Sequence, residues 1–217
     1  MMRRSSRMRF VRGTLFYLML AVILLITILP FLWMLSSSFK GQEAIRTIPI
    51  RWIPERPTLE GYERVFHMQG FSFTRASLNS LLLAVGCTVA EVASSAMAAF
   101  VFAKLPFKGS GKVFGIYLAT MMIPNTVTMV PNYIILRSLG LLDTYTGLIL
   151  PYLGKAFSVF LMRQSMLGVN DAYLESAFLD GASLYRVFWK IMLPMVTPTL
   201  ATLTLISFMG SWNSYLW

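Results

Sequence analysis

Residues 170–194 read NDAYLESAFLDGASLYRVFWKIMLP and lie between two long apolar runs. The stretch contains three acidic and two basic residues, so it is too polar to sit inside a bilayer. Its apolar residues recur at helical spacing, which a plain linker does not need. We therefore expect it to form a structured projection between two membrane spans.

The stretch predicts two short helices joined by a sharp turn. Asn170 or Asp171 can cap the first helix, where a polar or negative group meets the positive end of the helix dipole. Gly181 is placed to end that helix in a left-handed conformation, and Ser183 can cap the second helix. The expected apolar faces are Leu174, Ala177 and Phe178 in the first helix, and Leu184, Val187, Phe188 and Ile191 in the second.

A partner protein fits this projection better than a lipid surface does. Helices that lie on a membrane usually carry basic residues on their polar face, whereas the first helix here carries Asp171, Glu175 and Asp180. Two interfacial helices lying flat on lipid are the alternative. Leu193-Pro194 is expected to close the element where the chain enters the membrane.

The composition of the whole chain indicates a membrane protein. Its 217 residues are 56% hydrophobic and 13% charged, whereas soluble domains carry about 25% charged residues. The net charge of +10 comes from basic residues beside apolar runs, a placement that favours membrane orientation over nucleic-acid binding. Cys87 is the only cysteine in the sequence and His67 is the only histidine. The chain therefore offers no disulfide framework and no cysteine or histidine metal site.

The apolar runs predict an all-α polytopic fold with five transmembrane helices. The first run follows five arginines and has 27 residues without a charge, which is too long for the apolar core of a signal peptide. The predicted spans cover residues 13–39, 76–103, 113–136, 144–162 and 191–217.

The distribution of lysine and arginine predicts the orientation of these spans. Residues 1–13 hold five basic residues and 104–112 hold three, whereas the connection 40–75 spreads six over a much longer segment. Because short cytoplasmic segments are enriched in lysine and arginine, we expect 1–13 and 163–194 to be cytoplasmic and 40–75 extracytoplasmic. Residues 14–217 then form one transmembrane domain.

Two charged residues fall inside predicted spans. Placing a charge inside the bilayer costs free energy, so such residues are functional candidates by default. Glu91 lies 13 residues before Lys104, and Lys155 lies eight before Arg163. At a rise of about 1.5 Å per residue they are about 20 and about 12 Å deep, so their long side chains can pair. The alternative is a Lys155 that extends to the interface and a Glu91 that is protonated or hydrogen-bonded to a neighbour.

Small residues and prolines suggest further features of the spans. Gly86, Ala90, Ser94 and Ala98 recur every four residues and predict a helix-packing seam. Pro124 and Pro131 interrupt the third run, and a helix broken near a transport pathway is one interpretation of them. An ordinary packed kink is the other interpretation.

The blocks Glu175-Ser176-Ala177, Asp180-Gly181-Ala182 and Ile191-Met192-Leu193-Pro194 closely resemble the E-A-A…G…I-x-L-P loop of ABC importer permeases. The spacing of all three blocks agrees with that of the family. The one departure is Ser176, a small residue at a position where the family more often has alanine. Other segments resemble the carbohydrate branch of that family, the maltose-type permeases. These segments are Trp52-Ile53-Pro54, Pro57-Thr58-Leu59, Asn79-Ser80, Gly147-Leu148-Ile149-Leu150-Pro151 and Ser211-Trp212-Asn213. Members of the family have six spans, so the resemblance implies a fragment that lacks the sixth helix and the C-terminal tail.

The resemblance implies a non-catalytic permease subunit in a bacterial or archaeal cell membrane. Its implied partners are a second permease, two ABC ATPase subunits and an extracytoplasmic binding protein that delivers a sugar or oligosaccharide. ATP and Mg would be bound by the ATPase, and no cofactor is expected in this chain, which has no phosphate loop. Residues expected to dock the ATPase are Glu175, Ser176, Ala177, Asp180, Gly181, Ala182, Ile191, Leu193 and Pro194.

Other classes of function account for the sequence less well. A secondary transporter needs coupling-ion groups and inverted repeats, and apart from Glu91 and Lys155 such groups are lacking. A non-transporting membrane assembly protein has no need of the stretch 170–194. Polar and aromatic candidates for the pathway or the substrate site are Asn132, Tyr152, Trp212 and Asn213.

Overall fold

The structure is a computed structural model that describes the backbone of residues 2–105 and 107–214, and side chains from residue 12 onward within those ranges. The described residues form helices and connections, with no strand among them. The α-helices are α1 (Met2–Ser38), α2 (Gln42–Ile45), α3 (Glu60–Phe66), α4 (Phe73–Lys104), α5 (Ser110–Ala119), α6 (Asn125–Ser138), α7 (Tyr145–Ile149), α8 (Ala156–Leu167), α9 (Ala172–Leu179), α10 (Leu184–Val187), α11 (Leu193–Met195) and α12 (Thr197–Trp212). Most side chains of the predicted N-terminal segment 1–13 lie outside the described residues.

The chain divides into two compact units, with the boundary between Ala76 and Ser77. In the first unit, the stretch Arg12–Ser38 of α1 has 27 residues and a mean hydropathy of 2.8. Such a helix is about 40 Å long, which exceeds the hydrocarbon core of about 30 Å. Its length and composition match the first predicted span.

The connection that follows α1 folds back onto the end of that helix. Lys40 Nζ donates to the Arg51 carbonyl at 2.6 Å and lies 4.1 Å from the centre of the Trp33 ring. Thr58 Oγ1 accepts from the Glu60 amide at 3.1 Å at the start of α3. This short helix ends at Phe66.

The second long apolar helix is α4, with 32 residues and a mean hydropathy of 1.7. The predicted seam of small residues on α4 contacts the segment around α7 and α8. A Cβ atom on Gly86 would lie 3.0 Å from Ile149 Cδ1, so a larger residue would require the Ile149 side chain to shift by a few tenths of an ångström. Ser94 Oγ accepts from the Gly154 amide at 3.0 Å. The interpretation of the ladder as a packing seam is confirmed at both positions.

The other three predicted spans are bent pairs of helices, and in the third run the break follows the interpretation of a broken helix at Pro124. The bends measure 103° between Ser110–Met122 and Asn125–Ser138, 48° between Tyr145–Tyr152 and Ala156–Leu167, and 82° between Leu184–Met195 and Thr197–Trp212. Among the described residues, two helices are long and apolar enough to cross a membrane, or up to five if each pair is one span.

Proline and glycine explain where the bends occur. Ile123 is extended (φ −86°, ψ 116°) because Pro124 disfavours a helical conformation in the preceding residue. The second bend includes Gly154 at φ +60°. The third bend falls at Val196 (φ −106°, ψ 17°), two residues before Pro198.

Pro194 lies in the last turn of the helical segment Leu184–Met195, which ends one residue after the predicted closing pair Leu193-Pro194. It lies inside α11, and a π-helical turn, Phe188–Met192, precedes it. Proline has no amide hydrogen, so the usual bond to the residue four before it cannot form. A π-turn is one way in which a helix absorbs that loss.

The core of the second unit lies where α4, α8, α9, α10 and α12 converge. Phe100 of α4 meets Phe188 with ring centres 5.3 Å apart. Methionine fills much of the remaining space, and Met162, Met166 and Met192 are fully buried. The segment 170–194 therefore begins and ends on a packed core.

Candidate functional site

The start of α9 is capped by Asn170. Its Oδ1 accepts from the Ala172 amide at 3.0 Å, whereas Asp171 makes no side-chain cap bond. Of the two residues that the sequence offered as caps, Asn170 is the one used. Asp171 still places a negative charge at the positive end of the helix dipole, and its carboxylate is free to contact another residue.

The end of α9 is a complete Schellman turn built around Gly181. This residue has φ +76°, a conformation that glycine adopts without steric cost. The Gly181 amide donates to the Phe178 carbonyl at 3.0 Å, and the Ala182 amide donates to the Ala177 carbonyl at 2.9 Å. These are the two bonds that define the motif, so the predicted left-handed turn at Gly181 is confirmed.

The second helix starts at Ser183, as the sequence predicted. Ser183 Oγ accepts from the Arg186 amide at 3.3 Å. Val187, Phe188 and Met192 then point into the core. The resulting pair of short helices changes direction at Gly181 and Ala182.

The predicted apolar faces are narrower than expected. Leu174 and Ala177 of α9 are buried, but Phe178 is 42% exposed. In the second helix Val187 and Phe188 are buried, whereas Leu184 is 49% exposed. Helices of eight and four residues present only one or two positions to the core, so the outer members of each predicted face remain on the surface.

The nine residues predicted to dock the ATPase divide into two groups. Glu175, Ser176, Asp180, Gly181 and Pro194 are exposed. Ala177 is buried, and Ala182, Ile191 and Leu193 pack against the core. The first group is accessible on the surface, and the second group holds the projection on the core.

Several exposed apolar side chains on the projection were missed by sequence reasoning. Leu179 is 89% exposed and Tyr185 is 74% exposed, and Tyr173 and Trp189 are also exposed. We call Tyr173, Phe178, Leu179, Tyr185 and Trp189 the apolar surface of the projection. Contiguous exposed apolar groups mark interaction sites, and the available signal was the four-residue spacing of Tyr185 and Trp189, whose ring centres lie 6.1 Å apart.

Lys104, at the end of α4, contacts the beginning of the projection. Its Nζ donates to the Val169 carbonyl at 2.6 Å and to Asp171 Oδ1 at 2.5 Å. The Lys104 side chain is only 4% exposed, while that of Asp171 is 72% exposed. From the sequence, Lys104 was only one of three basic residues in a segment expected to be cytoplasmic. Its contacts could not be predicted, because Val169 and Asp171 are 65 and 67 residues away and are brought to it by tertiary packing.

Glu91 and Lys155 are brought together inside the second unit. Lys155 Nζ lies 2.9 Å from Glu91 Oε2, as an ion pair rather than an aligned hydrogen bond. The other oxygen, Oε1, accepts from Ser158 Oγ at 2.5 Å. The Glu91 side chain is 5% exposed and that of Lys155 is 43% exposed. A buried carboxylate thus meets a cation and a hydroxyl, the kind of partners it requires.

Two of the four pathway candidates line a common cavity. Tyr152 and Trp212 border a cavity of about 70 Å³ together with Cys87 and Ser211. Lys155 Nζ also lies 3.9 Å from the centre of the Tyr152 ring. Asn132 and Asn213 do not line this cavity. The described residues contain no group of three or more His, Cys, Asp or Glu that could hold a metal ion.

Residues 92–217 match the protein family described as the binding-protein-dependent transport system inner membrane component. The arabinooligosaccharides transport system permease protein AraQ of Halalkalibacterium halodurans is 32% identical over 199 residues, covering 91% of this chain and 71% of that protein. The sn-glycerol-3-phosphate transport system permease protein UgpE of Yersinia pestis is 30% identical over 205 residues, covering 93% of this chain and 73% of that protein. The diacetylchitobiose uptake system permease protein NgcG of Streptomyces coelicolor is 32% identical over 193 residues, covering 88% of this chain and 63% of that protein.

One solved structure is also similar to this chain. It is the crystal structure of a bacterial ABC transporter involved in the import of the acidic polysaccharide alginate. The superposition has a TM-score of 0.78 at 26% sequence identity, and covers 94% of this chain and 72% of the other. At 94% coverage of this chain, the likeness extends into both units.

Proposed function

The chain belongs to the family of binding-protein-dependent transport system inner membrane components, and we propose that it forms part of the pathway of an ATP-driven importer for a sugar or oligosaccharide. The observation that supports this most strongly is the family match, which contains the whole projection 170–194. As a permease subunit of an ABC importer it is a membrane component. Its relatives are named for arabinooligosaccharides, diacetylchitobiose and sn-glycerol-3-phosphate, so the proposed solutes are sugars and related polyols.

In this proposal the projection is where ATP hydrolysis acts on the chain. An ATPase subunit contacts the exposed carboxylates of Glu175 in α9 and of Asp180 just after it, together with residues of the apolar surface. Protein interfaces are rich in aromatic side chains near their centre, and Tyr173, Tyr185 and Trp189 are available at this one. ATP and Mg²⁺ are bound by the ATPase, and this chain does no chemistry.

The proposed orientation places 1–13 and 163–194 in the cytoplasm and 40–75 outside it. The supports are the basic residues of 1–13 and 104–112 and the general enrichment of lysine and arginine in cytoplasmic segments. The chain then crosses the membrane five times, with the three bent pairs each acting as one span. The proposed assembly contains this chain, a second permease, two ATPase subunits and an extracytoplasmic binding protein.

Reconstitution tests the proposal directly. The chain is co-expressed with the second permease, the ATPase and the binding protein encoded near it, and the purified complex is placed in liposomes. We expect uptake of a radiolabelled sugar that requires ATP on the ATPase side and the loaded binding protein on the other. Uptake driven by an ion gradient without ATP would contradict the proposal and support a secondary transporter.

A further inference from the structure

Lys104 links a membrane helix to the connector that precedes α9. Residues 168–171 join α8 to α9, and Lys104 contacts two of them, Val169 and Asp171. Both contacts use the same Nζ atom, which leaves little freedom for the connector to swing away from α4. Among the described residues, this is the ion pair that joins the connector before α9 to a long apolar helix.

Burial distinguishes this contact from an ordinary surface ion pair. Exposed pairs contribute little because solvent screens them and the side chains lose entropy. The Lys104 side chain is 4% exposed, so its ammonium has given up most of its water and depends on the Val169 carbonyl and the Asp171 carboxylate. Removing either partner leaves a buried cation with one fewer acceptor.

Few other contacts hold α9 in place. The helix has eight residues, and only Leu174 and Ala177 are buried. At its other end the Schellman turn bonds α9 to itself rather than to a membrane helix. The Lys104 contacts are therefore a polar path by which a displacement of α9 can reach α4, in addition to the apolar packing of Leu174 and Ala177 in the shared core. On α4, 13 residues before Lys104, the Glu91–Lys155 pair joins the same helix to the N-terminus of α8.

We propose that Lys104 is a positioning residue that couples the movement of α9 to α4 through its contacts with Val169 and Asp171. This inference rests on the proposed docking of an ATPase at 170–194. When the ATPase displaces α9, the Lys104 contacts make α4 follow. Without them α9 moves on its connector while the membrane helices lag, so ATP is hydrolysed without solute transport.

The test compares four variants of the complete transporter in liposomes. Lys104→Gln removes the cation, Asp171→Asn weakens one of its two contacts, and the third variant combines both changes. Lys108→Gln is the matched control, because Lys108 lies four residues after Lys104, is exposed, and makes no ion pair with the residues that the structure describes. Solute uptake, ATP hydrolysis and the amount of co-purified ATPase are measured for each.

We expect Lys104→Gln to retain ATPase docking while solute uptake per ATP falls about tenfold, the effect of losing a charge-assisted contact. Asp171→Asn should show a smaller loss, because the Val169 contact remains. The double variant should be no worse than Lys104→Gln, since the two residues act in one contact. The inference would be overturned if Lys104→Gln left the ratio of solute uptake to ATP hydrolysis unchanged. It would also be overturned if that variant lost ATPase docking to the same extent as solute uptake.

A second measurement separates this inference from the proposed function. A nitroxide label at Leu179→Cys, in a Cys87→Ala background, reports the mobility of α9 in the full chain in nanodiscs. We expect Lys104→Gln to increase that mobility and Lys108→Gln to leave it unchanged. Unchanged mobility in Lys104→Gln overturns the positioning role. If the unsubstituted chain fails to bind an ATPase, the proposed function fails, and the label still shows whether Lys104 holds α9.

Discussion

Lys155 Nζ lies 2.9 Å from Glu91 Oε2 and joins the middle of α4 to the N-terminal end of α8. Lys155 directly follows Gly154, which has φ +60° in the bend between α7 and α8. Ser158, one turn into α8, donates to the other Glu91 oxygen at 2.5 Å. The Glu91 carboxylate therefore holds both sides of the turn that starts α8 and fixes the direction of that helix.

Disrupting this ion pair should destabilise the protein and reduce transport. Lys155→Met leaves the Glu91 carboxylate buried with only the Ser158 hydroxyl, at a cost on the order of 2 kcal/mol because Lys155 itself is partly exposed. Glu91→Gln should cost less, since glutamine can still accept from Ser158. The measurements are thermal unfolding in detergent and solute uptake. The combined swap Glu91→Lys with Lys155→Glu should recover part of the loss, and a swap no better than either single change would contradict the pairing.

Gly181→Asp should leave membrane insertion intact but abolish docking of the ATPase. A side chain at Gly181 meets no atom within 4 Å, so the change does not create a clash. The φ of +76° is unfavourable for a residue with a Cβ, by about 1 kcal/mol or more, and the new charge adds to the nearby acidic groups. Co-purification of the ATPase is the readout.

Gly111→Asp is the control for the Gly181 variant. Gly111 also has no atom within 4 Å of an added Cβ, and it lies in the first turn of α5 with no positive φ. An acidic residue is favourable there because of the helix dipole. Normal ATPase co-purification with Gly181→Asp would count against the projection as the docking element.

Leu179→Asp should weaken ATPase binding without changing the stability of this chain. At 89% exposure Leu179 contributes little to the core, so the free energy of unfolding should change by less than about 0.5 kcal/mol. At the centre of an interface the same change should cost about 2 kcal/mol, or about thirtyfold in affinity. Ile53→Asp is the matched control, because Ile53 is 82% exposed in the connection 40–75. Equal effects of the two changes would argue against a role of the apolar surface.

Gly147→Ala should destabilise the second unit strongly. A Cβ atom at Gly147 would lie 2.1 Å from the Leu141 carbonyl oxygen, which belongs to the backbone. One of the two segments must move, at a cost of about 3 kcal/mol. Gly115→Ala on α5 meets nothing within 4 Å and should be neutral or stabilising. Thermal unfolding of the two variants checks this, and similar melting temperatures would contradict the close approach at Gly147.

Features that depend on local chemistry were predictable from the sequence. The turn at Gly181 and the cap at Ser183 follow from backbone and hydrogen-bonding preferences of single residues. The packing seam at Gly86 and Ser94 follows from the regular four-residue spacing of small residues on one helix. The closeness of Glu91 and Lys155 follows from the helical rise measured from the charged ends of two spans.

Features that depend on tertiary packing were not predictable. Pro124 marks where the third run breaks, but the angle of 103° between the two halves does not follow from the presence of a proline. The contact of Lys104 with Val169 and Asp171 joins segments that are remote in sequence. The exposure of Phe178 and Leu179 follows from how little of α9 reaches the core. Helical spacing alone therefore overestimated the buried face.

The most direct test of the central claim, that residues 170–194 receive the ATPase, is site-specific photocrosslinking in the assembled transporter. A benzophenone amino acid replaces Leu179, and in a second sample it replaces Ile53, and the crosslinked partners are identified by mass spectrometry. We predict that the probe at Leu179 crosslinks to the ATPase subunit and that the probe at Ile53 does not. Crosslinking of the ATPase at Ile53 but not at Leu179 would contradict the claim.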